Sequence, residues 1–154
     1  MQLKSLVQRL IPPGIYGGKT AYPVLSDLHA QLLSCADAGQ ALQVLDSSKA
    51  RLCLEWRDRF GSVVAEAVTL KVLNVLLAQF HFRNRSRVLQ SRPFGLVIDP
   101  SNMCQLACPG CVHSTQNEAR ELFAWPKGTL TEDRYAALLR RYGPHAIGVY
   151  FCDY

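Results

Sequence analysis

The 154-residue sequence has few of the features that mark disordered or repetitive chains. Ten glycines and eight prolines are too few for a collagen-like or low-complexity protein. Charged residues make up only 19% and hydrophobic residues 49%, a balance that excludes an intrinsically disordered chain. The length also falls short of the roughly 200 residues that a complete (β/α)₈ barrel requires. The sequence therefore indicates one ordinary folded domain, or a part of a larger protein.

No segment has the pattern of a secretory signal or of a membrane-spanning helix. Arg9 interrupts the apolar residues near the N-terminus, so a signal-peptide core of sufficient length is lacking. The longest apolar stretch, residues 63–80, contains Glu66, Lys71 and Asn74. A spanning helix needs about 20 mostly apolar residues, and charges inside a bilayer are unfavourable. The sequence predicts a core helix there, no membrane span, and a cytoplasmic protein.

Acidic residues are scarce in the first part of the chain. The formal net charge is +5, and residues 1–90 carry all of this excess, with eleven basic and six acidic side chains. The densest basic stretch contains Arg83, Arg85, Arg87 and Arg92. A nucleic-acid surface would produce such a stretch, but so would a helix C-terminus, where cations complement the helix dipole. No nucleic-acid-binding motif or pattern of stacking aromatics accompanies the arginines, so nucleic acid is not an expected partner.

Residues 1–92 are predicted to form a helical N-terminal region. Apolar residues recur at helical spacing through most of it. The predicted helices cover residues 1–11, 26–45, 49–60 and 62–85. Ser26 or Asp27 is the predicted cap of the second helix. A turn is predicted at 46–48, and Cys35, Cys53 and Trp56 are predicted to be packing residues on helical faces. The region carries no chemical motif, and we expect an accessory role, either covering a barrel or binding a peptide or protein partner.

Residues 93–154 follow a strand–helix–strand pattern. Short apolar runs at 94–98 and 146–152 predict two buried strands. Between them, Thr129 and Glu132 have the spacing of a capping box that begins the connecting helix. This order is one βαβ unit with parallel strands. Because two parallel strands leave both sheet edges unpaired, the pattern predicts a fragment or a truncated product of a longer α/β protein.

Three of the six cysteines, Cys104, Cys108 and Cys111, lie within eight residues, in the loop that follows the first predicted strand. This C-x3-C-x2-C spacing differs from the dispersed cysteines of a disulfide framework. Cysteine thiolates are the usual protein ligands of iron–sulfur clusters, and three on one tight loop can hold three corners of a cubane. The fourth iron is then open to an exogenous ligand.

The stretch GLVIDPSNMCQLACPGC, residues 95–111, resembles the cluster loop of radical S-adenosylmethionine enzymes. The resemblance implies that this loop follows the first strand of a partial (β/α) barrel, and that Cys104, Cys108 and Cys111 bind a [4Fe–4S] cluster. It also implies that the open iron binds S-adenosylmethionine. An electron from a donor such as flavodoxin or ferredoxin then cleaves this cofactor to a 5′-deoxyadenosyl radical. The resemblance does not specify the substrate.

The sequence departs from the family pattern at two places. Gly110 stands where the family usually has an aromatic residue, so the resemblance assigns to Gly110 only a backbone contact with the adenine. Asp153 and Tyr154 follow the second strand, where the family begins a glycine- and acid-containing turn that holds the amino group of S-adenosylmethionine. We therefore expect the full-length parent to be the enzyme, and the 154-residue chain alone to be inactive.

The residues leave two other classes of function open. The same cysteines could form a non-catalytic metal-binding module, which holds an electron-transfer cluster or, with His113 as the fourth ligand, structural zinc. Alternatively, the chain is a helical interaction protein in which the cysteine loop has no role. Cys152 is expected near the loop, as a packing residue or as a ligand. Asp153 is a candidate contact for substrate or cofactor, and Asp99 is expected to form a local turn hydrogen bond.

Overall fold

A computed structural model describes residues 23–101, 103 and 128–152 of the protein. This part of the chain is mixed α/β and mostly helical, as predicted, with four helices and one two-stranded parallel sheet. The elements are α1 (Pro23–Ser34), α2 (Ala38–Phe60), α3 (Ser62–Arg83), β1 (Gly95–Ile98), α4 (Glu132–Tyr142) and β2 (Gly148–Phe151). The helix predicted at 1–11 lies outside the described residues.

The first three helices pack into one hydrophobic core. Leucines of α1 and α2 and the apolar face of α3 meet around Trp56, which is completely buried and stacks on Phe60 at 5.9 Å between ring centroids. The prediction of Trp56 as a packing residue is confirmed. Cys35 and Cys53 are half-buried against the same core, although Cys35 follows α1 instead of lying within it. Burial of each large apolar side chain contributes about 1.5–3 kcal/mol, so this core is the main source of stability in the described residues.

The predicted helix over 26–45 is wrong, because the chain breaks between α1 and α2. Asp37 is extended and caps α2, its carboxylate accepting from the Gln40 amide at 2.9 Å. The Gln40 side chain in turn accepts from the Ala36 amide at 3.0 Å. This reciprocal arrangement satisfies backbone donors that the start of a helix leaves without partners. The Asp37-x-x-Gln40 spacing was the available signal for this boundary.

The turn predicted at 46–48 is also wrong, because α2 continues through it. Ala41, Leu45, Leu52 and Trp56 all face the core on either side of these residues. Ser47 adapts by donating its hydroxyl to the Val44 carbonyl within the helix, at 3.0 Å. Packing of the apolar face therefore overrides the turn preference of an Asp-Ser-Ser sequence.

Side chains from the other two helices hold both ends of α1. A carboxylate oxygen of Glu55 accepts from the Val24 amide in the first turn, at 3.2 Å. The Arg83 guanidinium donates to the carbonyls of Leu32 and Leu33 in the last turn, both at 3.2 Å. A carboxylate at the N-terminus and a cation at the C-terminus both complement the helix dipole.

The third helix ends at Arg83, close to the predicted 85. By length and composition α3 could cross a membrane, a property that it shares with core helices of soluble proteins, and half of its most apolar window is buried inside the protein. The buried set includes three polar side chains, Thr69, Asn74 and His81. The absence of a membrane span therefore stays a prediction.

The two strands pair in parallel, which confirms the predicted strand–helix–strand order. The register runs from Gly95 opposite Gly148 to Ile98 opposite Phe151. The connecting helix α4 is capped by Thr131, whose hydroxyl accepts from the Arg134 amide at 3.4 Å. The prediction of Thr129 as the cap is therefore wrong. Thr129 pairs with Ser101 in an antiparallel bridge instead.

The prediction that both strands are buried is wrong for most of their residues. Val97 is 71%, Tyr150 56% and Phe151 51% exposed, whereas Ile98 is buried. Helix α4 has no buried residue. An apolar run is compatible with burial, but its burial requires a covering layer on each face of the sheet. Two strands by themselves do not establish a partial barrel.

Two polar side chains of α3 connect the helices to the sheet. Asn74 accepts from the Arg92 amide at 2.7 Å and donates to the Arg92 carbonyl at 3.0 Å and the His145 carbonyl at 3.4 Å. Lys71 donates from its ammonium to the carbonyls of Gly143, at 2.7 Å, and Ala146. One turn of α3 thereby fixes both the segment that enters β1 and the turn that enters β2.

We expect Asn74→Ala to lower the free energy of unfolding by roughly 2–3 kcal/mol, because three hydrogen bonds are lost and backbone groups of Arg92 lose their partner. Urea unfolding of the two proteins measures this difference. Asn84→Ala is the control. Asn84 is exposed, and its side chain makes one hydrogen bond, to the Phe80 carbonyl at 2.9 Å. Equal losses for the two variants would contradict the connecting role of Asn74.

A second prediction concerns pH. Burial lowers the pKa of Lys71 below its ordinary value of 10.5. Between the lowered pKa and 10.5, the unfolded chain binds more protons than the folded chain, so stability contributed by this site rises with pH through that window. We expect the free energy of unfolding of the wild type to rise relative to that of Lys71→Met as the pH increases from neutral toward 10.5. Lys49→Met, at an exposed lysine of α2, provides the baseline, and a flat or falling difference relative to it would contradict the prediction.

Candidate functional site

The carboxyl ends of β1 and β2 lie at the same edge of the sheet, because the strands are parallel. The Cys152 amide extends the pairing by donating to the Ile98 carbonyl at 3.0 Å. Ligand sites of parallel α/β folds form at this edge, where the loops after the strands meet. The cysteine loop predicted from the sequence begins here.

The chain turns immediately after β1. The Asp99 carboxylate accepts from the Ser101 amide at 3.2 Å, which confirms the predicted local turn at Asp99. The Ser101 hydroxyl then accepts from the Met103 amide at 3.1 Å. Both are short-range hydrogen bonds of the kind that Asp and Ser side chains form in turns.

The chain returns to the same place before α4. Ser101 and Thr129 form the antiparallel bridge, and the Leu130 amide donates to the Pro100 carbonyl at 2.7 Å. We call residues 99–101 with 128–130 the loop base. The described residues on either side of 104–127, the part of the sequence that contains the three clustered cysteines, are therefore joined by hydrogen bonds at one place.

An open concavity of about 340 Å³ adjoins the loop base. Its lining comprises the loop base and Arg134, in the first turn of α4. Arg134 brings a cation to this edge of the sheet. Sequence reasoning did not single out Arg134, because a lone arginine in a helix carries no pattern that links it to the loop base.

The predicted ligands themselves, Cys104, Cys108 and Cys111, lie outside the described residues. Gly110, His113 and Asp153 lie outside them as well. The three cysteines that the structure does describe, Cys35, Cys53 and Cys152, are free thiols. Within residues 23–101, 103 and 128–152, no group of three histidine, cysteine or carboxylate side chains is arranged to hold a metal.

Cys152 lies at the predicted position, at the carboxyl end of the second strand. It is half-buried, and its backbone is paired with Ile98 next to the loop base. Cys35 and Cys53 belong to the helical core, away from this edge in the fold. Among the described cysteines, Cys152 alone is therefore positioned beside the candidate site, and a ligand role for its thiol stays a prediction.

Comparisons of the chain with protein-family models, with curated proteins and with solved structures found no match.

The closed loop base predicts a pattern of amide hydrogen exchange. The Leu130 and Cys152 amides donate to backbone carbonyls across the structure, whereas the Met103 amide donates to a side chain two residues away. If opening the long-range backbone hydrogen bonds costs about 1 kcal/mol more than opening the local Met103 contact, Leu130 and Cys152 should exchange about fivefold more slowly than Met103, after correction for intrinsic rates. Exchange of Leu130 at the rate of a free peptide would contradict the closed base.

Proposed function

We propose that Cys104, Cys108 and Cys111 bind a [4Fe–4S] cluster and that S-adenosylmethionine binds its fourth iron, as in radical S-adenosylmethionine enzymes. The observation that carries this proposal is the position of the loop base. The three-cysteine segment emerges from the carboxyl end of the first strand of a parallel βαβ unit, which is the context that the resemblance requires.

The donor set fits such a cluster. Three thiolates within eight residues match three iron corners, and thiolates are the ligands that iron–sulfur clusters select. Cys35 and Cys53 pack against the helical core, so these two thiols do not complete a four-cysteine site. Cys152 is the described thiol that lies beside the loop base, so a four-cysteine electron carrier would have to recruit it. The proposed cluster instead leaves one iron for an exogenous ligand.

The residues of this chain would position the cluster and shield it. The Leu130–Pro100 hydrogen bond and the Ser101–Thr129 bridge hold the two ends of the loop together. The backbone of Gly110 is the proposed contact for the adenine. When bound and reduced by a donor such as flavodoxin or ferredoxin, the cluster and S-adenosylmethionine supply a 5′-deoxyadenosyl radical for hydrogen abstraction.

We further propose that β1, α4 and β2 are the first βαβ unit of a partial (β/α) barrel. Parallel pairing of sequential strands through a helix is the repeating unit of such barrels. The outward-facing Val97, Tyr150 and Phe151 are apolar and more than half exposed, as strands are when their covering elements are missing. This supports a sheet that is completed by further strands and helices.

Anaerobic reconstitution with iron and sulfide tests the proposed function. We expect iron and sulfide contents that match one [4Fe–4S] cluster per chain, an EPR signal after reduction, and a change of that signal when S-adenosylmethionine is added. The variant Cys104→Ala/Cys108→Ala/Cys111→Ala should lose the cluster entirely, because all three proposed protein ligands are removed.

The remaining cysteines offer a matched control. Cys35→Ala/Cys53→Ala/Cys152→Ala removes the same number of thiols and should keep both the cluster and its response to S-adenosylmethionine. Loss of the cluster in this control as well would show that a further cysteine is a ligand, with Cys152 beside the loop base as the first candidate, and would contradict the open iron. A cluster that is indifferent to S-adenosylmethionine would favour an electron-transfer module, and tight zinc binding without a cluster would favour a structural zinc site.

A further inference from the structure

A long surface groove lies between the end of α3 and the segment that leads to β1. Its volume is about 1130 Å³, and it is open to solvent along its length. Phe82, Leu89 and Phe94 provide apolar walls and are 89%, 63% and 38% exposed, respectively. Large apolar side chains clustered at this exposure mark binding surfaces on soluble proteins.

The turn at the end of α3 places an arginine in this groove. The Ser86 amide donates to the His81 carbonyl at 3.0 Å, and Arg85 is left-handed, with φ of 50°. This is a Schellman-type helix end, whose left-handed position is usually glycine. Arg85 occupies it instead, and its side chain lines the groove together with that of Arg92.

The two charged residues that line the groove, Arg85 and Arg92, are both basic. No aspartate or glutamate lines it, and the sequence contains none between Glu66 and Asp99. The same interval carries five basic side chains, namely Lys71, Arg83, Arg85, Arg87 and Arg92. A ligand of this groove therefore combines apolar groups with negative charge.

Two buried donors in the groove lining lack partners in the described structure. His81 is 1% exposed, and its Nε2 accepts from the Gln90 amide at 3.2 Å. A neutral ring that accepts at Nε2 carries its proton on Nδ1, and this atom has no hydrogen-bond partner. The side-chain nitrogen of Gln79 is also buried without a partner. Both atoms are covered by protein, so the exposed arginines and apolar side chains are what a ligand of the groove contacts.

We propose that this groove binds an acidic peptide segment with apolar anchor residues, supplied by another protein. Its volume exceeds the range of roughly 300–1,000 Å³ typical of small-molecule pockets, and it is not enclosed. The charged side chains of residues 1–22 are Lys4, Arg9 and Lys19, so like charge disfavours this segment of the same chain as the occupant. Acidic and aromatic side chains of a peptide would meet the arginines and the apolar walls together. This proposal does not depend on the cluster.

Selection from a random peptide display library on the 154-residue chain tests the proposal. We expect enriched peptides to carry aspartate or glutamate beside leucine or aromatic residues. Their affinity should fall by about tenfold or more for Arg85→Glu/Arg92→Glu and for Phe82→Ser. Phe82 is almost fully exposed, so its replacement leaves the helical core intact. The matched control is Arg57→Glu/Arg140→Glu, which makes the same charge change at exposed positions of α2 and α4 and should retain the wild-type affinity.

Three outcomes would overturn the proposal. In the first, no peptide is enriched above a blank support. In the second, the enriched peptides have no excess of aspartate or glutamate. In the third, the groove variants bind the enriched peptides as tightly as the wild type does. Vesicles of equal parts phosphatidylcholine and phosphatidylglycerol provide a further arm. The wild-type chain could sediment with these vesicles while the groove variants do not. If no peptides are enriched as well, this result would assign the groove to an anionic lipid surface instead.

Discussion

The attachment of the sheet to the helical core depends on the bidentate pairing between the Asn74 side chain and the Arg92 backbone. A buried amide in the middle of an apolar helix is unfavourable unless its donor and acceptor are both satisfied. Here the backbone of the approaching chain satisfies them, so the direction in which the chain enters β1 is fixed by the helix before it. Lys71, one turn earlier, holds the entry to β2 in the same way. The sheet edge that carries the candidate site is thus positioned from α3.

Local patterns predicted the elements that are strongly periodic or sharply bounded. The apolar helix over 62–85 and the two short strands were found because their patterns extend without a competing signal. The break near Asp37 was missed because its cap signal lies inside a continuing apolar pattern. The turn placed at 46–48 was wrong because turn preferences are smaller than the packing energy of the apolar face of α2. The burial of the strands was overestimated, because an apolar run does not reveal what covers it.

The candidate site was predictable only where its chemistry lies in consecutive residues. Three closely spaced cysteines are recognisable in the sequence as candidate ligands. The strand that precedes them in the sequence indicates where in the fold they follow. The loop base was not predictable, because Pro100 and Leu130 pair across the whole loop. The contacts of Asn74 and Lys71 span 18 to 75 residues, and long-range polar contacts of this kind leave no periodic signal in the sequence.

The left-handed Arg85 shows how the helix end balances two demands. Glycine adopts this backbone region without a steric penalty, whereas a side chain with a Cβ is strained there by about 1–2 kcal/mol. The chain therefore keeps a less stable helix terminus than glycine would give. In return it holds at this turn a cation that glycine lacks. A residue at such a position gives up some folding stability for a positive charge on the molecular surface.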